Sequence, residues 1–274
     1  MDPSPQPHYE PSEWTTRQTF VRLLNEACAA HNATLSWSSE NWVAHIQKGN
    51  VTTIIYGYTF PLNNAAVAGV LRDKSATYQV LAAASVPAIP HFLLRLPALR
   101  SVEGAAAAAQ KLAPLPLVVK PNMGESGGFD VTHCQTTQEL DAALRNLASR
   151  HQNLAVSPFV QIAREFRVVM LAGEPLLAFE KVRGPHEWRH NLRLGAAPGL
   201  VGVDASAELT ALARRALHAT GAELAAVDIA ETPDGYKIME INGGISLGSF
   251  AGHSTKNFTL ALEAYMEILE KSLD

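Results

Sequence analysis

Cysteine is almost missing from this 274-residue chain, which has only Cys28 and Cys134. Two thiols with no metal-ligand spacing around them exclude a disulfide framework and a zinc site, and they suit a reducing cytoplasm in which both are inert. A basic excess is missing too. The 22 Lys and Arg against 26 Asp and Glu give a formal net charge of −4 at pH 7. That leaves no cationic surplus to neutralise a phosphate backbone, so nucleic acid is not expected as a partner. Long apolar runs are absent: Pro, Gly or a charge interrupts each one before the roughly 18 residues that a bilayer crossing requires. No membrane partner is expected. The opening MDPSPQPHYEPSEW has neither the basic start nor the apolar core of an export signal. Residues 1–14 read instead as a Pro-rich arm, disordered or loosely docked. No repeat of solenoid period is visible. What is present is an ordinary globular composition, 47% hydrophobic, on a chain long enough for two or three lobes, and the search narrows to small molecules.

Residues 15–31 place Phe20, Leu23, Leu24 and Ala27 at helical spacing. NATLSWS and NWVAHIQKGNVTTIIYGY then alternate like strands, the second folding at a Lys-Gly-Asn turn. Residues 15–72 are expected to form a short N-terminal α/β lobe. NNAAVAGVLRDKSATYQVLAAASV reads as a pair of helices, VPAIPHFLL as a short strand bounded by two prolines, VEGAAAAAQKLA as an Ala-rich helix and LPLVVKP as a strand ending at Lys120. With a helix over residues 138–149 these make a central lobe, residues 73–155. In residues 156–274, LAVSPFV leads into the hairpin EFRVVMLAGEPLLAFEKVRG, followed by a helix over residues 208–220 with Leu209, Leu212, Ala213, Ala216 and Leu217 on one stripe. A second hairpin, ELAAVDIAETPDGYKIMEING, turns at Pro-Asp-Gly, and a last helix covers residues 255–273.

Three clusters carry chemistry. In the second hairpin Asp228 and Glu240 fall opposite or nearly opposite one another, with Asn242 one step further on the same face. Carboxylates that close repel unless a cation lies between them, and an all-oxygen set suits Mg²⁺, with Mn²⁺ meeting the same preference. Solvated strand charges are the alternative, and the surrounding Ala, Val, Ile and Met speak against it. In VVKPNMGESGGFDV a strand delivers Lys120, and Gly124, Ser126, Gly127 and Gly128 form a loop whose backbone N–H groups can approach phosphate oxygens. It lacks both the GxxxxGK[ST] order and a following helix, so P-loop and Rossmann readings fail; a Gly-rich hairpin without a ligand stays open. FEKVRGPHEWRHNLRLGA crowds Lys181, Arg183, Arg189 and Arg193 beside Glu180, Glu187 and Asn191. Guanidinium forks at such density suit a polyanion, a solvated charged loop being the other reading.

In their order, these motifs resemble the ATP-grasp carboxylate–amine ligases, especially the branch of the ribosomal-protein-S6 glutamate ligase, over roughly residues 62–258. RDKSATYQVLAAASVPAIP is similar to the family's Asp-Lys helix, which makes Lys74 the first nucleotide-contacting lysine. VVKPNMGESGGFDV is similar to the second lysine and its mobile loop, giving Lys120 the α/β-phosphates and Gly124, Ser126, Gly127 and Gly128 the phosphate cover. AVSPFV looks like the hinge, where the backbone of Phe159 and Val160 would read adenine. In REFRVVML the resemblance gives Glu165 the ribose hydroxyls and Arg167 the phosphate or acyl-phosphate, and Lys181 joins the nucleotide contacts. EWRHNLRLGA carries Arg189 and Asn191 over as γ-phosphate and intermediate contacts, and VDIAETPDGYKIMEINGG matches the magnesium strands with Asp228, Glu240 and Asn242. Two departures stand out: Ser157 and Pro158 occupy hinge positions that usually hold an acidic or amide residue, and the N-terminal lobe lacks a clear first βα unit.

The resemblance implies an ATP-grasp fold of α/β (α+β) class, a nucleotide held between two α+β lobes, and ATP with Mg²⁺ as cofactors. The implied activity is ligation. A small carboxylate, an amino acid or peptide, becomes an acyl-phosphate, and an amine then displaces phosphate to leave an amide. Beyond the metal strand, GGISLGSFAGHSTKNF offers Gly244, Ser246 and Lys256 as substrate contacts, together with Arg183; His253 reads equally as a surface histidine. Small-molecule carboxylate and amine substrates are the expected partners, and a second subunit of a homodimer is one way to complete the acceptor site. A ring-closing, lactam-type synthetase, a small-molecule kinase and a non-catalytic nucleotide-binding protein remain open alternatives.

Overall fold

The computed structural model describes residues 11–96, 102–124, 130–185, 187–199, 201 and 203–274; residues 1–10 of the expected arm lie outside them. Helix α1 (Pro11–Ala30) starts ahead of residue 15 and buries Phe20, Leu23, Leu24 and Ala27 completely. β1 (Thr34–Ser38), β2 (Val43–Lys48) and β3 (Val51–Tyr56) form an antiparallel sheet. Strand alternation turns Ala44, Ile46 and Ile55 inward and leaves Ile54 and Tyr56 exposed.

α2 (Ala65–Arg72) and α3 (Lys74–Ala83) are separated at Asp73, whose side chain accepts from the Ala76 amide and so caps α3. The next two prolines do not bound a strand as expected. Proline has no N–H to pair, so the segment makes only an isolated parallel bridge at Ala88, through the Pro87 carbonyl and the Ile89 amide to Ile238. β4 (Phe92–Arg95) begins beyond them. α4 (Val102–Leu112), β5 (Leu117–Pro121), β6 (Thr132–Cys134), α5 (Thr137–Ala148) and β7 (Asn153–Pro158) complete a second sheet of order β4-β7-β5-β6. α5 opens with a capping box between Thr136 and Glu139 and buries Leu140, Leu144 and Leu147 in a core with Leu117, Val119 and Val156.

The third sheet is built from β8 (Arg164–Leu171), β9 (Glu174–Val182), β10 (Ala197–Gly199), β11 (Leu224–Thr232) and β12 (Gly235–Asn242), in the order β10-β9-β8-β11-β12. The β8–β9 turn places Ala172 at φ 50° and Gly173 at φ 82°, the two left-handed residues that a tight hairpin needs. On one face Phe166, Val168 and Met170 of β8 and Ala225, Val227 and Ile229 of β11 pack against α2, α3 and α6 (Val203–Thr220). The other face is divided. Val169, Leu171, Leu224 and Ala226 join the core shared with α1, β1–β3 and α8 (Thr255–Leu273). The same face then switches to Glu165, Arg167 and Asp228, and this switch opens the cleft. The strand pairings among the described residues are antiparallel, which gives α+β character. Among those residues no helix is long and apolar enough to cross a membrane.

Short α7 (Gly248–Ala251) lies against α1 with no room for a side chain: a Cβ on Gly248 would fall 2.3 Å from the Thr16 carbonyl oxygen. Gly248→Ala is therefore expected to destabilise the chain by about 1–3 kcal/mol through overpacking. Gly69→Ala, in α2 with nothing within 4 Å of the added carbon, is expected to stabilise by about 0.5–1 kcal/mol. Thermal unfolding of both variants reads the difference, and equal midpoints would refute the close approach.

Candidate active site

Register assembles the charged centre. Asp228 on β11 sits opposite Arg167 on β8 and opposite Glu240 on β12, so the three side chains share one face. Arg167 donates through Nε to Asp228 Oδ1 at 2.8 Å and through its terminal nitrogen to Oδ2 at 2.7 Å, the fork geometry of a charge-assisted pair. Lys181 of β9 lies 2.9 Å from Asp228 Oδ1 and 2.6 Å from Glu165 Oε1. The Asn242 amide donates to Asp228 Oδ2 at 3.3 Å. Burial pushes the Asp228 carboxyl up, but Arg167 and Lys181 outweigh it and hold the group down at about 2. Burial raises Glu165 above its ordinary value, with Asp228 adding to the rise and Lys181 opposing it.

Two lysines face this cluster. Lys74 is the first residue of α3, fixed by the Asp73 cap and by its own amide, which donates to the Asn122 carbonyl at 3.0 Å. Its Nζ is 3.1 Å from Glu240 Oε1 and 3.5 Å from the Gly124 carbonyl. Lys120, on β5, is pushed down to about 8 by burial and by Lys74, against the pull of Glu240, Glu165 and Asp228. Burial works to raise Glu240, yet Lys74 and Lys120 bring it below the usual carboxylate range. Two cations thus converge on one carboxylate where the second and third sheets meet.

The cleft holds a cavity of about 300 Å³. Of the positions expected from the sequence, Lys74, Lys120, Gly124, Glu165, Arg167, Lys181, Arg189, Asn191, Asp228, Glu240, Asn242, Gly244 and Ser246 line it together. Ser126, Gly127 and Gly128 lie outside the described residues. Arg183 and Lys256 are exposed and are not brought to the cleft. Phe159 and Val160 are not among its lining residues either. The Phe159 amide donates to the Pro116 carbonyl at 3.0 Å, and its ring stacks on His133 with centroids 3.9 Å apart, while Ile162 lines the cleft wall. Arg189 is gripped by Glu187, Nε to Oε1 at 3.0 Å and the terminal nitrogen to Oε2 at 2.8 Å. Asn191 Oδ1 accepts from the Arg193 amide at 2.9 Å and caps the turn Leu192–Leu194.

Other lining residues carried no readable signal in the sequence. Val131, Ile162 and Met239 are scattered apolar positions, and Thr16, Trp42 and Tyr58 come from the N-terminal elements, far from every motif. Among the described residues no group of three or more His, Cys, Asp or Glu is gathered to cage a metal. Asp228 has both oxygens engaged by cations; Glu240 has Oε1 against Lys74, and Glu240 and Asn242 both line the cleft with oxygen-bearing side chains. Such a partial, all-oxygen set fits a hard cation that takes its remaining ligands from phosphate and water, as Mg²⁺ does.

Comparison with known proteins fits this geometry. Residues 71–266 match the model of the RimK-like ATP-grasp domain. A probable alpha-L-glutamate ligase of Azotobacter vinelandii is 26% identical over 214 residues, 76% of this chain and 67% of that protein. One from Stutzerimonas stutzeri is 26% identical over 215 residues, with the same shares covered. The D-alanine–D-alanine ligase of Bacillus anthracis superposes with a TM-score of 0.60 at 18% identity, over 77% of this chain and 70% of its own. A D-cycloserine synthetase gives 0.56 at 20% identity, over 75% and 71%. The structural likeness establishes the ATP-grasp fold.

Asp228→Asn leaves Arg167 and Lys181 facing a neutral amide and is expected to cost about 3–5 kcal/mol. The native carboxylate is held down, so its contribution is full above the ordinary value of about 3.9 and disappears as pH falls through about 2. Urea midpoints of the two proteins should differ widely at pH 7 and converge towards pH 2; a gap independent of pH would refute the pairing.

Proposed function

Because the chain belongs to the RimK-like ATP-grasp family, we propose that its cleft activates a carboxylate as an acyl-phosphate with ATP and passes the acyl group to an amine, releasing ADP and phosphate. The protein is an ATP-dependent carboxylate–amine ligase. The observation that carries the proposed route is that Lys74, 3.1 Å from Glu240, and Lys120 line the same cleft as that carboxylate.

Lys120 and Lys74 hold the polyphosphate, and Gly124 begins the loop that covers it. The base lies among Val131, Ile162 and Met239, the apolar part of the wall. Arg167 takes up the charge that grows on the transferring phosphoryl group, because Asp228, itself paired with Lys181, holds its fork in place before substrate arrives. Arg189 and Asn191 face the same reacting centre from their loop. Glu240 and Asn242, with Asp228 behind them, are the residues that would hold Mg²⁺, which when bound neutralises phosphate charge and orients the oxygens. The carboxylate oxygen bonds to the γ-phosphorus as the bond to ADP breaks; the amine nitrogen then bonds to the acyl carbon as phosphate leaves with its oxygen. Holding both reactants side by side supplies as much as about 7–11 kcal/mol of barrier reduction. The names of the relatives support amino acids as the class from which the reactants come.

ADP release measured across amino-acid pairs tests the reaction. Release is expected only with both a carboxylate and an amine, and Glu240→Gln is expected to lower it at least about 100-fold while circular dichroism stays native. ADP formed without an amine would favour a kinase or a ring-closing enzyme. Lys120 gives a second test. With its ammonium down at about 8 in the free protein, an arriving polyphosphate raises it, so nucleotide binding at pH 8 should take up protons. At pH 6 the group is already charged and the uptake should vanish, as it should at pH 8 in Lys120→Arg. Calorimetry in buffers of different ionisation heat reads this, and uptake unchanged in the variant would remove Lys120 from the phosphate site.

A further inference from the structure

The end of the cleft beyond Asn242 has a wall that no motif predicted. The loop after β12 pairs with the N-terminal lobe: Gly244 bridges Thr59, and the Ile245 amide donates to the Tyr58 carbonyl at 2.8 Å. Tyr58 is therefore fixed to the chain that carries Glu240 and Asn242. Trp42 stands beside it, ring centroids 6.0 Å apart at 71°. Its position is set by Gly57, at φ +61°, where a Cβ would come within 3.2 Å of the indole. Across from the rings, Thr16 and Ser249 share a hydroxyl–hydroxyl hydrogen bond of 2.9 Å, and Ser246 lies on the same lining.

Charge decides what such a wall accepts. The buried Arg17 guanidinium sits 4.7 Å from the Trp42 centroid and 5.1 Å from that of Tyr58, donating to the Gly57 carbonyl at 2.8 Å and to the Asn41 carbonyl. Arg17 is not among the residues lining the cleft. The ring quadrupoles already serve a cation, so a substrate ammonium resting on them would meet a surface polarised against it. The acidic residues lining the cleft, Glu165, Asp228 and Glu240, are paired with cations at its phosphate end. An acidic side chain gains no direct ion pair from this wall, because Arg17 is held behind the rings by the Gly57 and Asn41 carbonyls and the N-terminal residues that line the cleft are Thr16, Trp42 and Tyr58.

Resting on the ligase reading above, we infer that the Trp42–Tyr58 wall is the side-chain subsite for one reactant, and that it selects an amino acid with a neutral apolar or aromatic side chain over one with an acidic or basic side chain. Arg193, on the turn that packs against α7, lines the same cleft and supplies a guanidinium for that reactant's own carboxylate.

The full chain tests this in two stages. ATP binding is measured first by calorimetry; its absence would overturn the ligase reading and leave the subsite to be judged by direct binding. Phenylalanine, leucine, glutamate and lysine are then compared by saturation-transfer NMR and by ADP release in pairs with a common amine or carboxylate. The neutral pair should bind or turn over at concentrations about tenfold or more below the charged pair, the discrimination that an apolar pocket of this size supports. Tyr58→Ala should raise the KM for the neutral amino acid about tenfold with the KM for ATP unchanged, and Trp42→Phe, which keeps a ring, should retain most of the selectivity. Preference for glutamate or lysine, absence of amino-acid binding to a chain that binds ATP, or an equal loss for charged and neutral amino acids in Tyr58→Ala would each overturn the inference.

Discussion

The cleft depends on one buried carboxylate. Asp228 receives Arg167 from β8, Lys181 from β9 and Asn242 from β12, so three neighbouring strands each place a donor on a single side chain of β11. Removing such a charge from water costs several kcal/mol, and only a complete set of partners offsets it. The same requirement fixes register. A one-residue slip of β8 against β11 would turn Arg167 into the apolar face that α6 covers and leave Asp228 without its fork. The cluster therefore stabilises the sheet only in the alignment that also aims Glu240 and Asn242 into the cleft.

The features legible in the sequence are those that short-range rules govern. The Pro-Asp-Gly turn was enough to bring Asp228 opposite or nearly opposite Glu240; regular pairing from that turn would set Asp228 against Met239, and a register shift between Asp228 and Ile229 places it directly against Glu240. The segment from residue 63 to residue 86 read as a pair of helices; the structure breaks them at Asp73, whose side chain caps the second and places Lys74 in its first turn, against Glu240. The binding partners of Asp228 were not legible, since β8 and β11 are joined by a long crossover whose register no local pattern reports. The Gly, Ser and Lys stretch after β12 suggested Lys256 by composition alone, yet Ser254 caps α8 and the first turn of that helix leaves Lys256 exposed. Arg183 shares a charged string with Lys181 but stands two residues further, past the end of β9, where the chain leaves the sheet.

The N-terminal elements were the least readable part of the site. Thr16, Trp42 and Tyr58 carry no motif; Thr16 and Tyr58 are held at the cleft by bonds to Ser249 and Ile245, far along the chain, and Trp42 by its ring contact with Tyr58. Their own core is not separate: Phe20 packs edge-on against Tyr265 of α8, and Tyr265 donates to the Ile245 carbonyl at 2.8 Å while accepting from the Leu247 amide at 3.0 Å. A hydroxyl buried this deeply needs both bonds, and together they hold the loop from Ile245 to Leu247 against the N-terminal lobe. The short lobe thus acts on the cleft through the backbone that continues from the carboxylate strand.

The resting charge balance explains how such a cleft waits for a polyanion. Lys74 and Lys120 share Glu240, and their mutual repulsion with burial already brings Lys120 down to about 8. Two cations on one carboxylate leave positive charge uncompensated in a poorly solvated place, where a unit charge at about 4 Å is felt far more strongly than in water. A polyphosphate relieves that repulsion directly. On the proposed route it would offer each lysine its own oxygens and free Glu240 for the cation that accompanies the phosphates. Arg167 would keep its place, because its partner Asp228 is buried and binds it through both oxygens. On that route the two carboxylates divide by strand, Glu240 of β12 changing partners and Asp228 of β11 serving as the anchor.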